Sequence, residues 1–169
     1  MPTLAEINQL TANEFVQTLG GVFEHSPWVA EAVEGQRPFD STAALHAAMN
    51  GAVAASPLAR QLELIRAHPD LAGRLARLGQ LTAESTREQA SAGLADADAA
   101  TIARIGELNS AYLATFGFPF IICARLNKVD SILEAMQLRL HQDEATEIST
   151  ALSEIGKITL LRLKDLIPD

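Results

Sequence analysis

The chain has 169 residues, 48% of them hydrophobic, and a formal charge of −8 with histidines neutral. That length suits a single domain with a core large enough to need no disulfide framework. The acidic balance works against a nucleic-acid binder or a protein held on an anionic membrane, because phosphate and headgroup charges repel it.

In chain order, Thr11-Ala12-Asn13-Glu14 is a capping box, and Phe15, Val16 and Leu19 give the apolar face of a short helix ended by Gly20-Gly21. Ser26-Pro27-Trp28 reads as an N-cap, a proline at the first helical position and an aromatic, with Val29, Ala32 and Val33 following up to Gly35. Arg37-Pro38-Phe39-Asp40 is a loop. Ser41 or Thr42 caps a helix that buries Leu45, Met49 and Val53, and Ser56-Pro57 starts another through Leu58, Leu62 and Ile65.

That helix runs into Arg66-Ala67-His68-Pro69-Asp70-Leu71-Ala72-Gly73-Arg74, where the helical pattern breaks. A residue before proline is pushed out of the α region, so His68 is expected at a helix end with Pro69 opening the next helix. Gly79 breaks the chain again, and Thr82 and Ser85 both resemble caps. Gly93 ends a short helix. Asp96 or Asp98 begins a long one with the stripe Ile102, Ile105, Leu108 and Tyr112, stopped by Gly117. Phe118-Pro119-Phe120-Ile121-Ile122-Cys123-Ala124 is β-like but has no partner strand elsewhere, so it is expected to be a buried irregular segment running into a helix. Asp130 is read as the cap of the next helix (Ile132, Leu133, Met136, Leu140). A final long helix carries Ile148, Leu152, Ile155, Ile158 and Leu166. With no repeat and no low-complexity linker, residues 1–169 are expected to form one all-α domain of about eight packed helices.

Metal and nucleotide chemistry find no support in the spacing. His25, His46, His68 and His141 are scattered without an i, i+4 pair, and there is no cysteine pair, phosphate-cradling glycine loop or nucleophile elbow, so neither metal nor cofactor is expected. Four features carry candidate chemistry. His68 is a titratable ring at a helix junction. In Ser85-Thr86-Arg87-Glu88-Gln89, Ser85 and Glu88 have capping-box spacing, which alone accounts for them; alternatively, the helix N-terminus receives an anion and Glu88 and Gln89 add an acceptor and an amide. Arg162 falls within the apolar stripe of the last helix, either snorkelling at the domain edge or held in a pocket where its fork grips a carboxylate or ureide. The backbone of residues 118–124, if buried and non-helical, needs hydrogen-bond partners that a planar polar ligand could supply.

These segments, taken in order, resemble the OHCU decarboxylase family. The likeness lies in Ala67-His68-Pro69-Asp70-Leu71, in Leu81-Thr82 through Ser85-x-x-Glu88-Gln89 and Gly93-Leu94, and in Phe116-Gly117-Phe118-Pro119-Phe120. Ser26-Pro27-Trp28 and the run from Glu154-Ile155-x-Lys157-Ile158 to Arg162-Leu163 extend it over nearly the whole chain. The resemblance implies an all-α carboxy-lyase, usually a homodimer, that works without a cofactor. Its reaction converts 2-oxo-4-hydroxy-4-carboxy-5-ureidoimidazoline into (S)-allantoin and CO₂ in urate breakdown. It implies that His68 is the catalytic histidine, with Glu88 and Arg162 as its partners. Substrate contacts are implied for Pro69, for Ser85, Thr86, Arg87, Glu88 and Gln89, for the backbone of Phe120, Ile121, Ile122, Cys123 and Ala124, and for Arg162. Two other classes remain open on the residues alone: a non-catalytic helical ureide-binding protein, and a ureide hydrolase using the same pocket.

Cys123 is the chain's single cysteine, which favours a reducing compartment. Residues 1–13 lack a basic n-region, no apolar run approaches the roughly 20 residues of a spanning helix, and the C-terminus carries no peroxisomal tripeptide. A cytoplasmic protein with a small-molecule substrate is expected.

Overall fold

The structure, a computed structural model, describes residues 1–71 and 82–168. The expected break at Gly79, and Ala72, Gly73, Arg74 and Leu81 of the quoted motifs, lie outside the described residues. Among the described residues the regular structure is helical, with nine α-helices and no strand. They are α1 (Leu4–Gln9), α2 (Ala12–Leu19), α3 (Trp28–Val33), α4 (Thr42–Ala55), α5 (Leu58–Ala67), α6 (Ala83–Ser91), α7 (Ala99–Phe116), α8 (Val129–Arg139) and α9 (Glu144–Leu166). The all-α expectation holds. No helix among the described residues is long and apolar enough to cross a membrane.

The chain forms two compact units, Met1–Ala67 with Gly156–Asp169, and His68–Ile155. In the first, α2 packs on α3 and α3 on α4. Their inward faces bury Phe15, Leu19, Val29, Val33, Leu45 and Met49 completely. Burying one such side chain is worth about 1.5–3 kcal/mol. The Thr11 capping box forms as its spacing predicts, the Thr11 N–H and hydroxyl donating to Glu14 at 2.9 and 2.7 Å. A matching box at Thr3 and Glu6 starts α1, a helix the sequence reading missed; only Ile7 in it is buried, so it has no apolar stripe to read. Asn8 brackets the backbone of Phe39 with two 2.9 Å hydrogen bonds, which fixes the 37–40 loop.

One start differs from expectation. Ser26 does not cap α3; its hydroxyl donates instead to the Glu24 carbonyl at 2.9 Å. α5 begins directly after Ser56-Pro57 as expected; the Ser56 hydroxyl donates to the Val53 carbonyl at 2.6 Å at the end of α4, and Leu58 is exposed.

In the second unit, α6 touches the short 3₁₀ turns Leu94–Asp96 and Ala124–Leu126, and α7 touches α8. Thr82 caps α6 (Ser85 N–H to Thr82 Oγ1, 3.2 Å), and Asp98 caps α7 (Thr101 N–H to Asp98 Oδ1, 2.7 Å). Asp130 is no cap: α8 begins at Val129 with Lys128 at the N-cap, whose N–H donates to Ser131 Oγ at 3.0 Å. Tyr112 sits at the middle of an aromatic group, with ring centroids 4.6 Å from Phe116, 6.0 Å from Phe118 and 5.4 Å from Phe120. Such pairs add about 0.5–1.5 kcal/mol each beyond area burial.

The buried stripe of α9 is offset from the expected one. Glu147, Ala151, Glu154, Ile155, Ile158, Thr159, Arg162 and Leu163 are buried, whereas Ile148, Leu152 and Leu166 are only half-buried. Charged side chains occupy inward positions because partners await them there.

Two outcomes test this description. Gly117 closes α7 at φ +76 with open space around its Cα, so Gly117→Ala carries only the left-handed backbone cost. Denaturant unfolding of that variant should show a loss of about 1–2 kcal/mol. Burial holds the His46 imidazole below its ordinary value of 6.5, partly offset by the Gly156 backbone. The unfolded chain therefore takes up a proton that the folded chain resists. His46 contributes stability above that value, and the contribution is lost as pH falls through the depressed folded value. His46→Gln should flatten this acid-side loss in unfolding curves; an unchanged slope would contradict the assignment.

Candidate active site

The His–Pro stretch ends α5 as its sequence demands. α5 stops at Ala67, and His68 is buried immediately beyond it. Pro69 does not open a helix, however: Pro69 and Asp70 are non-helical and Leu71 lies in a turn. Distant side chains bond the carbonyls of this turn. Gln89 Nε2 donates to the Asp70 carbonyl at 3.3 Å, and Asn109 Nδ2 donates to the Leu71 carbonyl at 2.8 Å. The turn carrying His68 is thus tied to α6 and α7 by its backbone, and burial raises the Asp70 carboxyl above its ordinary range.

α6 presents a polar face inward. Ser85, Glu88 and Gln89 are all buried, and their i, i+3, i+4 spacing puts them on one side of the helix. Because Thr82 holds the N-cap, Ser85 lies inside the first turn, and the Ser85–Glu88 capping box does not form. Capping therefore does not account for a buried Glu88. The opposite face carries Thr86 and Arg87, both exposed: Thr86 donates its hydroxyl to the Thr82 carbonyl at 3.0 Å, and Arg87 lies 4.0 Å from Glu84.

Residues 118–124 are all buried and form neither helix nor strand until the 3₁₀ turn Ala124–Leu126. Their backbone groups find side chains instead. Arg139 Nη1 donates to the Ile121 carbonyl at 2.6 Å, and the Cys123 N–H donates to Glu154 Oε1 at 3.4 Å. Asn127 Nδ2 donates to the Cys123 carbonyl at 2.9 Å. Neither the N–H nor the carbonyl of Ile122 has a hydrogen-bond partner among the described residues. Burial pushes the Cys123 thiol up, and the carboxylates of Glu154 and Glu88 push it further. α6 touches the Ala124–Leu126 turn that ends this segment.

The unit His68–Ile155 therefore assembles the His68 turn, the inward face of α6 and the buried irregular segment. Arg162 belongs to the other unit. Its guanidinium is buried, with Nη2 2.8 Å from Glu24 Oε2 and Nη1 donating to the Val22 carbonyl at 3.3 Å. It does not snorkel. Glu24, Asn109, Arg139, Glu147 and Glu154 escaped the sequence reading. The one available signal was positional, since Glu147 and Glu154 recur at heptad spacing beside an apolar stripe. Among the described residues no group of three or more His, Cys, Asp and Glu is placed to hold a metal.

Comparison with known proteins gives a consistent picture. Residues 8–164 match the family model described as OHCU decarboxylase. The chain is 44% identical to a protein of Amia calva named 2-oxo-4-hydroxy-4-carboxy-5-ureidoimidazoline decarboxylase, over 97% of this chain and 94% of that protein. A Mus musculus protein of the same name is 40% identical over 97% of this chain and 92% of its own length. Among solved structures, one titled (S)-allantoin synthase superposes with a TM-score of 0.80 at 29% identity, covering 99% of this chain and 54% of that one. A structure titled OHCU decarboxylase in the presence of (S)-allantoin shares the fold at a TM-score of 0.72 and 24% identity, covering 93% of this chain and 99% of that one.

The Arg162–Glu24 pair gives a direct test. Both side chains are nearly inaccessible, so Glu24→Ala takes a carboxylate away from a buried guanidinium. Chemical denaturation should report a loss of about 3–5 kcal/mol, and Glu24→Gln, which keeps an acceptor, a smaller one. A loss under about 1 kcal/mol, the surface-pair range, would show that the pair is not buried as described.

Proposed function

The chain belongs to the OHCU decarboxylase family, and on that premise we propose how its residues remove CO₂ from 2-oxo-4-hydroxy-4-carboxy-5-ureidoimidazoline to give (S)-allantoin in urate breakdown. The observation that carries the proposal is that His68, Ser85, Glu88, Gln89 and the 120–124 backbone are buried in one compact unit, where Gln89 bonds the Asp70 carbonyl and α6 touches the Ala124–Leu126 turn.

The substrate explains why such a small set suffices. Its carboxylate lies β to a ring C=N bond, so when the carbon–carbon bond breaks the electron pair moves into the ring and onto nitrogen. The electron sink is internal, and we propose that the enzyme is cofactor-independent for that reason. The protein must orient the carboxylate, stabilise charge developing on the ring and direct a proton to one face. We assign His68 to the 4-hydroxyl and to proton transfer as general acid/base. Glu88 accepts from the ureido or ring N–H groups. Ser85, Gln89, Pro69 and the backbone of residues 120–124 fix the ring. Thr86 and Arg87 carry no side-chain contact in this scheme, since both are exposed. For Arg162 the family resemblance implies a contact with a substrate carbonyl or carboxylate, and within its own unit its guanidinium is ion-paired with Glu24.

Two broader features complete the proposal. A homodimer is supported by the family resemblance, and a cytoplasmic location by the lone buried cysteine. A single domain is supported by α9, one continuous helix contributing residues to both units.

The test supplies freshly generated substrate and follows CO₂ release together with the ellipticity of (S)-allantoin. Wild-type protein should accelerate both above the spontaneous background. His68→Asn should lower the rate by about 10²–10⁴-fold with the helical circular dichroism unchanged. Ammonia or ureidoglycolate as product would indicate hydrolysis, and no rate above background would indicate a binding protein. A near-normal rate for His68→Asn would remove that residue from the mechanism.

A further inference from the structure

The second unit contains a buried charged cluster that the reaction scheme does not use. Arg139, at the end of α8, donates from Nε to Glu147 Oε1 at 2.9 Å and from Nη1 to the Ile121 carbonyl at 2.6 Å. Its guanidinium lies over the Phe120 ring, 4.2 Å from the centroid. Glu147 is completely buried, and its Oε1 also accepts the Tyr112 hydroxyl. Burial and the Glu147 carboxylate push the Tyr112 phenol well up, so Tyr112 stays a neutral donor at any working pH. Arg139 Nη2 and Glu147 Oε2 have no hydrogen-bond partner among the described residues.

A pair this deep is weak evidence for stability, because desolvation of two charges offsets most of their attraction, and apolar residues of similar volume often do as well. Its geometry indicates a different role. One cation grips the segment at two adjacent points, the ring of Phe120 and the carbonyl of Ile121. Two residues on, Glu154 takes the Cys123 N–H at 3.4 Å. The residue between these anchors, Ile122, has both backbone groups without a partner among the described residues. The backbone is clamped on either side of the stretch left available to a ligand.

We propose that Arg139, oriented by Glu147 and Tyr112, is a positioning residue that sets the 120–122 backbone in register for the planar ureide ring. This rests on the decarboxylase reading for the identity of the ligand, and it adds residues that touch no substrate. A neutral hydrogen-bond donor could satisfy one carbonyl. Holding a carbonyl and a carboxylate by the N–H fork while the cation lies over an aromatic ring takes a guanidinium, whose fork is rigid where the lysine ammonium is a point charge.

The test compares wild type, Arg139→Lys, Glu147→Gln and Tyr112→Phe by three readouts: thermal midpoint, KM against kcat for decarboxylation, and dissociation constant for (S)-allantoin. Arg139→Lys keeps the charge and should unfold cooperatively. Its KM and its (S)-allantoin dissociation constant should both rise by at least about tenfold, within what an ångström-scale misplacement costs, while kcat changes less. Glu147→Gln and Tyr112→Phe, which keep the arginine, should show the same split at smaller amplitude. A merely structural role would lower the thermal midpoint and leave KM and product affinity at wild-type values, and that result in a folded Arg139→Lys would overturn the proposal. Should Arg139→Lys fail to fold, unchanged KM and product affinity in both other variants would overturn it equally. If wild type binds (S)-allantoin but releases no CO₂, the decarboxylase reading fails while product affinity still decides the role of Arg139.

Discussion

An extended backbone buried inside helices is the constraint on which the second unit depends. Helices satisfy their own peptide groups, but residues 118–124 have no such internal ladder and no neighbouring strand. Each buried N–H or carbonyl left unpaired costs free energy comparable to a lost hydrogen bond. Arg139, Glu154 and Asn127 supply partners for the Ile121 carbonyl, the Cys123 N–H and the Cys123 carbonyl, and the Tyr112 aromatic group packs against Phe118 and Phe120. The charges buried along α8 and α9 follow from this need. So does the shift of the α9 buried stripe toward Glu147 and Glu154.

The same logic governs the His68 turn. Pro69 follows His68 in a non-helical bend, and Gln89 and Asn109 bond the carbonyls of Asp70 and Leu71. Gln89 thereby has two tasks, facing inward beside Glu88 and holding the chain that carries His68. The catalytic proposal uses two kinds of rigidity: side chains that lock backbone, and backbone that presents polar groups. Neither needs a bound cofactor to hold its shape.

What was legible in the sequence was whatever is decided locally. The Thr11 box, the Asp98 cap, the Gly93 and Gly117 stops and the stripe of α7 depend on residues three or four apart, and they formed as read. Ser85 was ambiguous because Thr82, three residues earlier, competes for the same N-cap; once Thr82 takes it, helical period alone turns Ser85, Glu88 and Gln89 inward and Thr86 and Arg87 outward. Asn109, Arg139 and Glu24 were illegible because their partners lie far away in the chain. A lone arginine near a helix end reads as solvated until the carbonyl and carboxylate it meets are known. His68 and Arg162 drew notice by their positions, but only the ordered family resemblance gave them a task.

The central claim is that one ureide ligand is met by the His68 turn, the inward face of α6 and the 120–124 backbone together. Titrating ¹⁵N-labelled protein with (S)-allantoin and following amide and imidazole resonances tests it most directly. The account predicts that the amides of Ile122 and Cys123, those of Ser85 to Gln89 and the His68 ring shift along a single binding isotherm. Shifts confined to other surfaces, or separate isotherms for the three elements, would contradict it.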